Sequence, residues 1–307
     1  MKPAWSVILL TTLIGAGQGL FLAAFFVDVL KADAAKTLVV ASCGVSILLL
    51  AGGLLASFFH LGRPERAWRA ASQWRTSWLS REVIVLPAFM GAVAAYGLSA
   101  FLSFDRSISL FFGTAGAILC VALFVCTAMI YACLKFLQEW HTPLTLLNYL
   151  LLGTASGFTL AVPVAKLAFP QFAGVLALAA FLIGAAAYLA RCASLIRNAR
   201  LRPKSTAATA TGINHPRIVQ KAQGFMGGSF NTRDVFHGRP DRVVHAARWA
   251  FLILAFPVPA WLLGWGGGSL HVFVAAFALQ FAGLLAERWT FFAEARHPQN
   301  LYYQSMA

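Results

Sequence analysis

Eight stretches of this chain stay apolar for roughly 20 residues, the length an α-helix needs to cross the hydrocarbon core of a bilayer. They run over about 5–30, 37–59, 82–102, 108–134, 144–165, 171–193, 247–265 and 269–290. In lipid the backbone N–H and C=O groups must be paired within the span itself, so each stretch becomes a helix. The expected fold is an all-α integral membrane protein with eight transmembrane helices. Composition agrees: 60% of the 307 residues are hydrophobic and 11% are charged, where soluble domains carry roughly 25% charged residues. The first stretch is too long for a signal-peptide core and lacks a convincing cleavage site, so it is expected to stay as a membrane helix.

The net charge of +14 would point to nucleic acid in a soluble protein. Here it follows topology, and no nucleic-acid role is expected. An even number of spans puts both termini on one face. Of the 24 Lys and Arg residues, all but Lys31, Lys36, Arg106 and Lys166 are assigned to that face. Because short basic loops stay inside, the N and C termini and both basic loops are expected in the cytoplasm of a bacterial inner membrane. The two loops are residues 60–81 and 194–246. The second is far longer than helix connections need. Aromatic and apolar residues recur in it, which favours order against a partner over a basic tether lying on membrane lipid.

Two G-x-x-x-G spacings, Gly15/Gly19 and Gly153/Gly157, allow close helix approach or reflect only the glycine content of membrane helices. Trp140, Trp249, Trp261, Trp265 and Trp289 lie near span ends, as in an interfacial aromatic belt. Phe59-His60-Leu61-Gly62-Arg63-Pro64-Glu65-Arg66 is echoed by Phe236-His237-Gly238-Arg239-Pro240-Asp241-Arg242. The echo leaves two four-helix halves open beside coincidence.

Several chemistries are absent from the pattern. No span has a charged residue near its middle, and Gln18, Asn148 and Gln280 are the few polar groups at depth. Ion-coupled transporters place ionisable side chains there, so a small-molecule transporter is the weaker reading. Every histidine lies at a span end or in a loop, unlike the facing axial ligands of a haem bundle, so no haem is expected. The five cysteines include no C-x-x-C pair, so no metal is expected, and they read as small buried hydrophobes.

What remains is the stretch from His60 to Glu82. Quinone chemistry moves two electrons and two protons, and the protein must bind the oxygens and supply or accept the protons. Histidine titrates near neutrality. His60 and Glu82 close two adjacent apolar runs, so they can face one pocket, with arginines beside them and Trp68, Trp74 and Trp78 as apolar walls. Each residue alone has a plainer reading. A helix-end histidine can bond the last carbonyls, a first-turn glutamate suits the helix dipole, and the arginines can be topology determinants.

His60-Leu61-Gly62-Arg63-Pro64-Glu65-Arg66-Ala67-Trp68, followed by Ser77-Trp78-Leu79-Ser80-Arg81-Glu82, resembles the signature of the DmsC family of membrane anchor subunits. The likeness extends to chain length and the eight-span layout. It implies a three-subunit oxidoreductase. The molybdenum bis-guanine-dinucleotide cofactor sits in a catalytic subunit, the iron–sulfur clusters sit in a ferredoxin-like subunit, and the anchor exchanges electrons with ubiquinone or menaquinone. It also implies that His60 and Glu82 are the proton-handling residues. The quinone-binding set is expected to be His60, Gly62, Arg63, Pro64, Arg66, Trp68, Trp78, Arg81 and Glu82. Partner docking is expected at Arg75, Phe230, Asn231, Arg233, His237 and Arg239. The cytoplasmic placement of the loop, and the insertion around Gly227-Gly228-Ser229, look more like the Soe-type sulfite dehydrogenase branch. The alternative is the anchor of a dimethyl sulfoxide reductase that oxidises menaquinol.

Overall fold

The computed structural model describes residues 1–30, 36–219, 221–222, 237–265 and 267–301. Phe230, Asn231 and Arg233, expected at a docking surface, and Phe236 of the echo lie outside them. Among the described residues the secondary structure is entirely helical. The long helices are α1 (Trp5–Leu30), α2 (Lys36–Phe58), α3 (Trp78–Phe101), α4 (Arg106–Ala132), α5 (Pro143–Ala168) and α6 (Ala173–Ala199). A short α7 (Ala207–Thr211) precedes α8 (Asp241–Leu254), α9 (Pro257–Trp265) and α10 (Leu270–Ala293). Taken with α8 and α9 as one broken span, these provide eight helices long and apolar enough to cross a membrane.

α1 and α5 form the centre. α2, α3 and α4 pack to one side of this pair, and α6, α8–α9 and α10 to the other. The two glycine pairs face each other at the central crossing. A Cβ on Gly15 would lie 3.3 Å from the Gly153 Cα, and a Cβ on Gly157 would overlap the Gly19 backbone. Hydrophobic burial does not drive helices together in lipid. Close backbone contact through small residues does, so both spacings are packing motifs.

The seventh span is broken rather than continuous. Pro257 and Pro259 lack the N–H groups that would continue the α8 ladder, so the helix ends at Leu254 and restarts at Pro257. The Ala255 carbonyl, which Pro259 cannot serve, accepts a hydrogen bond from Gln280 Nε2 on α10 at 3.3 Å. Gly283 lets α10 reach this break, since a Cβ there would meet the Ala255 backbone. A cavity of about 260 Å³ opens beside it, lined by Phe181, Tyr188, Phe256, Pro259 and Gln280.

Three buried clusters fill the bundle, one of them around Leu152, Phe251, Phe256 and Leu284. In the second, Phe21 meets Phe89 and Tyr96 edge-on, at 5.4 and 5.8 Å between centroids. The Tyr96 hydroxyl donates to Asp28 Oδ2 at 2.6 Å, and Arg106 closes on the same carboxylate at 2.7 Å. Arg106 is therefore an ion-pair partner of Asp28. In the third, Tyr131, Tyr149, Trp140, Phe291 and Phe292 interlock. Trp140 is buried there and donates Nε1 to the Phe291 carbonyl at 3.0 Å, so it is a core residue and not part of an interfacial belt. Trp249, Trp261 and Trp265 are exposed.

Replacing Gly157 with alanine should cost more than the roughly 1–3 kcal/mol of an ordinary overpacked core, because the atoms it meets are backbone. Gly184→Ala, where a Cβ meets nothing within 4 Å, should be neutral. Thermal unfolding of the detergent-solubilised protein compares the two.

Candidate functional site

The chain leaves α2 after Phe58 and turns through Phe59, His60 and Leu61. Pro64, which needs no N–H partner in a first turn, opens a 3₁₀ helix, Pro64–Gln73. Ser77 then caps α3, its side chain accepting from Ser80 N at 3.3 Å. This cap starts α3 at Trp78, four residues earlier than the apolar run. Glu82 therefore lies inside the helix rather than at its end.

Arg81 clasps the loop to the helix. Its Nε donates to the Trp74 carbonyl at 2.9 Å and its Nη2 to the Arg75 carbonyl at 2.8 Å, with the guanidinium 4.2 Å from the Trp78 ring centroid. The rest of the loop faces outward. Phe59 is 83% exposed and Trp68 72%, and His60, Gly62, Arg63, Pro64, Arg66 and Arg75 are also exposed. The one ion pair in the loop, Arg66–Glu65 at 3.8 Å, is exposed on both sides and adds little stability. Partial desolvation draws the His60 imidazole below the ordinary histidine value, which favours its neutral form. His237 is shifted the same way, with desolvation the largest cause, and precedes α8 beside the exposed Arg239.

Glu82 is 7% exposed and turns inward. The Thr127 hydroxyl of α4 donates to its Oε1. The carboxylate lines a cavity of about 20 Å³ with Gly15, Thr127, Tyr149, Gly153 and Arg288. His60 does not line it. The structure thus puts Glu82 at an internal cavity and His60 on the loop outside. At about 20 Å³ this cavity is far below the roughly 300–1,000 Å³ of small-molecule sites, so the cavity itself does not hold a quinone ring.

A buried ion cluster adjoins this cavity, and sequence reasoning missed it. Arg191 Nε lies 2.7 Å from Glu287 Oε1, and Arg288 Nε lies 3.3 Å from Glu287 Oε2. None of the three is more than 5% exposed. Arg288 also stacks 3.9 Å from the Tyr149 ring centroid. Nearer the surface, Arg248 bonds Glu294 through Nε at 2.9 Å and Nη2 at 2.5 Å. Arg191, Arg248 and Arg288 were assigned by position to the basic face, yet all three pair with carboxylates. The spans are free of charge at their middles but not in their terminal turns. The adjacent Glu287 and Arg288 inside an apolar helix were the available signal.

Among the described residues no three His, Cys, Asp or Glu side chains converge as metal ligands. Cys43, Cys120 and Cys126 are buried, as read from the sequence, whereas Cys133 is exposed.

Removing one partner of a buried ion pair strands the other charge, at a cost of about 3–5 kcal/mol. Glu287→Leu should therefore destabilise strongly, because it strands both Arg191 and Arg288, and adding Arg191→Met and Arg288→Met should recover most of the loss. Denaturant unfolding of the two variants measures the difference.

A family model for the DMSO reductase anchor subunit (DmsC) matches residues 1–219. A sulfite dehydrogenase subunit from Allochromatium vinosum is 54% identical over 329 aligned positions, covering the whole of both chains. The family model takes in the His60 loop, the inward Glu82 and the central helix crossing, and the relative extends the likeness through α10. The chain belongs to the DmsC family of membrane anchor subunits.

Proposed function

We propose that this chain anchors a sulfite-oxidising molybdenum complex in the bacterial inner membrane and passes electrons from an iron–sulfur partner to quinone beside the His60 loop. The observation that carries the reading is Glu82, an ionisable side chain buried just beneath a basic, aromatic-rich loop. A carboxylate is costly to hold among membrane helices and is retained there for chemistry. The sulfite branch rests on the Allochromatium relative, which is named for sulfite dehydrogenase.

A bound quinone supplies the redox chemistry, taking up two electrons and two protons. His60 would offer a hydrogen bond from the loop, and Glu82, which accepts from Thr127, would take up and pass on a proton at the bundle side. Trp78, and Trp68 once the partner covers it, would wall the ring, and Arg81 keeps the loop folded onto α3. The exposed Phe59 and Trp68 are apolar surface that a docked protein would cover. Arg63, Arg66 and Arg75, with His237 and Arg239, give that surface a basic rim for a ferredoxin-like partner. The partner closes the side of the site that this chain leaves open, and its cluster must come within electron-tunnelling reach of the quinone. The molybdenum cofactor and iron–sulfur clusters belong to the partner subunits.

His60→Ala and Glu82→Gln should each abolish quinone-coupled turnover while leaving assembly and dye-coupled sulfite oxidation intact. Full quinone activity in both variants would rule the site out. The loop is expected on the cytoplasmic face. Labelling of a cysteine placed at Ser72 by a membrane-impermeant reagent in intact cells would contradict that orientation.

A further inference from the structure

The cavity at Glu82 does not end there. Tyr149 and Arg288 line it on one side and line a second cavity, of about 10 Å³, on the other. The second cavity is bounded by Asn148, Arg191, Glu287 and, towards the face that carries the termini, by the partly exposed Glu139 and Glu294. Each space is of the size that holds about one water.

Four buried polar groups in and around the second cavity lack hydrogen-bond partners: Asn148 Oδ1, the Tyr149 hydroxyl, Arg191 Nη2 and Glu287 Oε2. Unpaired buried polar atoms are expensive unless water serves them. Their concentration at one small polar cavity marks a hydrated site. The charges are also unusual. Arg191 from α6 and Arg288 from α10 face the single carboxylate of Glu287, while the nearby Glu294 is already held by Arg248 from α8. Arg191 meets Glu287 at Oε1 and Arg288 lies beside Oε2, where the contact is an ion pair without hydrogen-bond geometry and leaves that oxygen able to accept from water. Arginine does not give up its proton in proteins, so the exchangeable groups along this path are Glu287, the Tyr149 hydroxyl and Glu82.

We propose that Glu287 is a proton relay joining the aqueous face at Glu139 and Glu294 to Glu82, through the two cavities and the Tyr149 hydroxyl between them. The proposal rests on the reading of Glu82 as the proton-handling residue of the quinone site. For each proton that Glu82 gives to a quinone oxygen, one passes inward from the Tyr149 side. The Glu287 carboxylate takes up one from water at the mouth and passes it to that side, returning to its ion-paired form. The two electrons arrive separately from the iron–sulfur partner, so the relay carries protons only and ends each turnover unchanged. Glu287 acts through Glu82 and does not touch the quinone.

The test uses the assembled complex in membranes, comparing quinone-coupled with dye-coupled sulfite oxidation. Glu287→Gln should lower the quinone-coupled kcat roughly tenfold or more, the scale of a lost proton-transfer group. The KM for a short-chain quinone and the dye-coupled rate should stay near wild type. The solvent isotope effect should rise, Glu287→Asp should restore part of the rate, and a small weak acid should rescue Glu287→Gln. A structural role alone would move assembly or dye activity instead. Tyr149→Phe removes only the hydroxyl and keeps the ring under Arg288, so it carries the same test if Glu287→Gln does not assemble. Wild-type quinone turnover with an unchanged isotope effect in either assembled variant overturns the relay. If His60→Ala and Glu82→Gln are inactive in that same assay, the quinone site stands and only the relay falls. If those two are active, the site itself is wrong.

Discussion

The bundle depends on backbone-to-backbone contact between α1 and α5, where Gly19 meets Gly157 and Gly15 meets Gly153. This crossing does two things at once. It brings two axes close enough for dispersion to hold them where no hydrophobic drive exists. It also removes side-chain volume from the middle of the bundle, and Gly15 and Gly153 are walls of the small cavity onto which Glu82 opens. Packing and chemistry therefore share the same residues. Bulk added at Gly153 would strain the crossing and crowd the space beside the carboxylate.

Electrostatics at the two ends of the bundle follow one rule with different outcomes. At one end Asp28 is met by Arg106 and the Tyr96 hydroxyl, and the pair is closed. At the other, Glu287 is held between two arginines, with hydrogen-bonding capacity left over on Glu287, Arg191, Asn148 and Tyr149. A closed pair stabilises a helix junction. An incompletely satisfied cluster next to a cavity remains available to water, and that difference separates a structural ion pair from a site able to move protons.

Much of the fold was legible because apolar runs of membrane length leave only helices to choose from. The eight spans, the glycine spacings and the polar groups Gln18, Asn148 and Gln280 were all visible in one dimension. Partners were not. A single arginine at a span end reads the same whether it faces water, as Arg296 does, or a carboxylate inside the bundle, as Arg191 does. Trp140 likewise has the position of a belt residue and the contacts of a core one. The site was half legible. Its residue types were clear, but the cap at Ser77 moved Glu82 into the helix, and only the packed bundle reveals Thr127, Tyr149 and Arg288 around it.

The broken span between α8 and α9 constrains the chemistry of a residue on a different helix. Because Pro259 cannot serve the Ala255 carbonyl, Gln280 must present its amide nitrogen there, which turns its unpaired Oε1 away from that carbonyl. The amide is thereby oriented without ambiguity. Glutamate, though equal in shape, would set a carboxylate against a carbonyl, and leucine would leave that carbonyl bare in an apolar interior. A proline in one helix thus dictates not only the size but the hydrogen-bond polarity of the side chain tolerated 21 positions later, at residue 280.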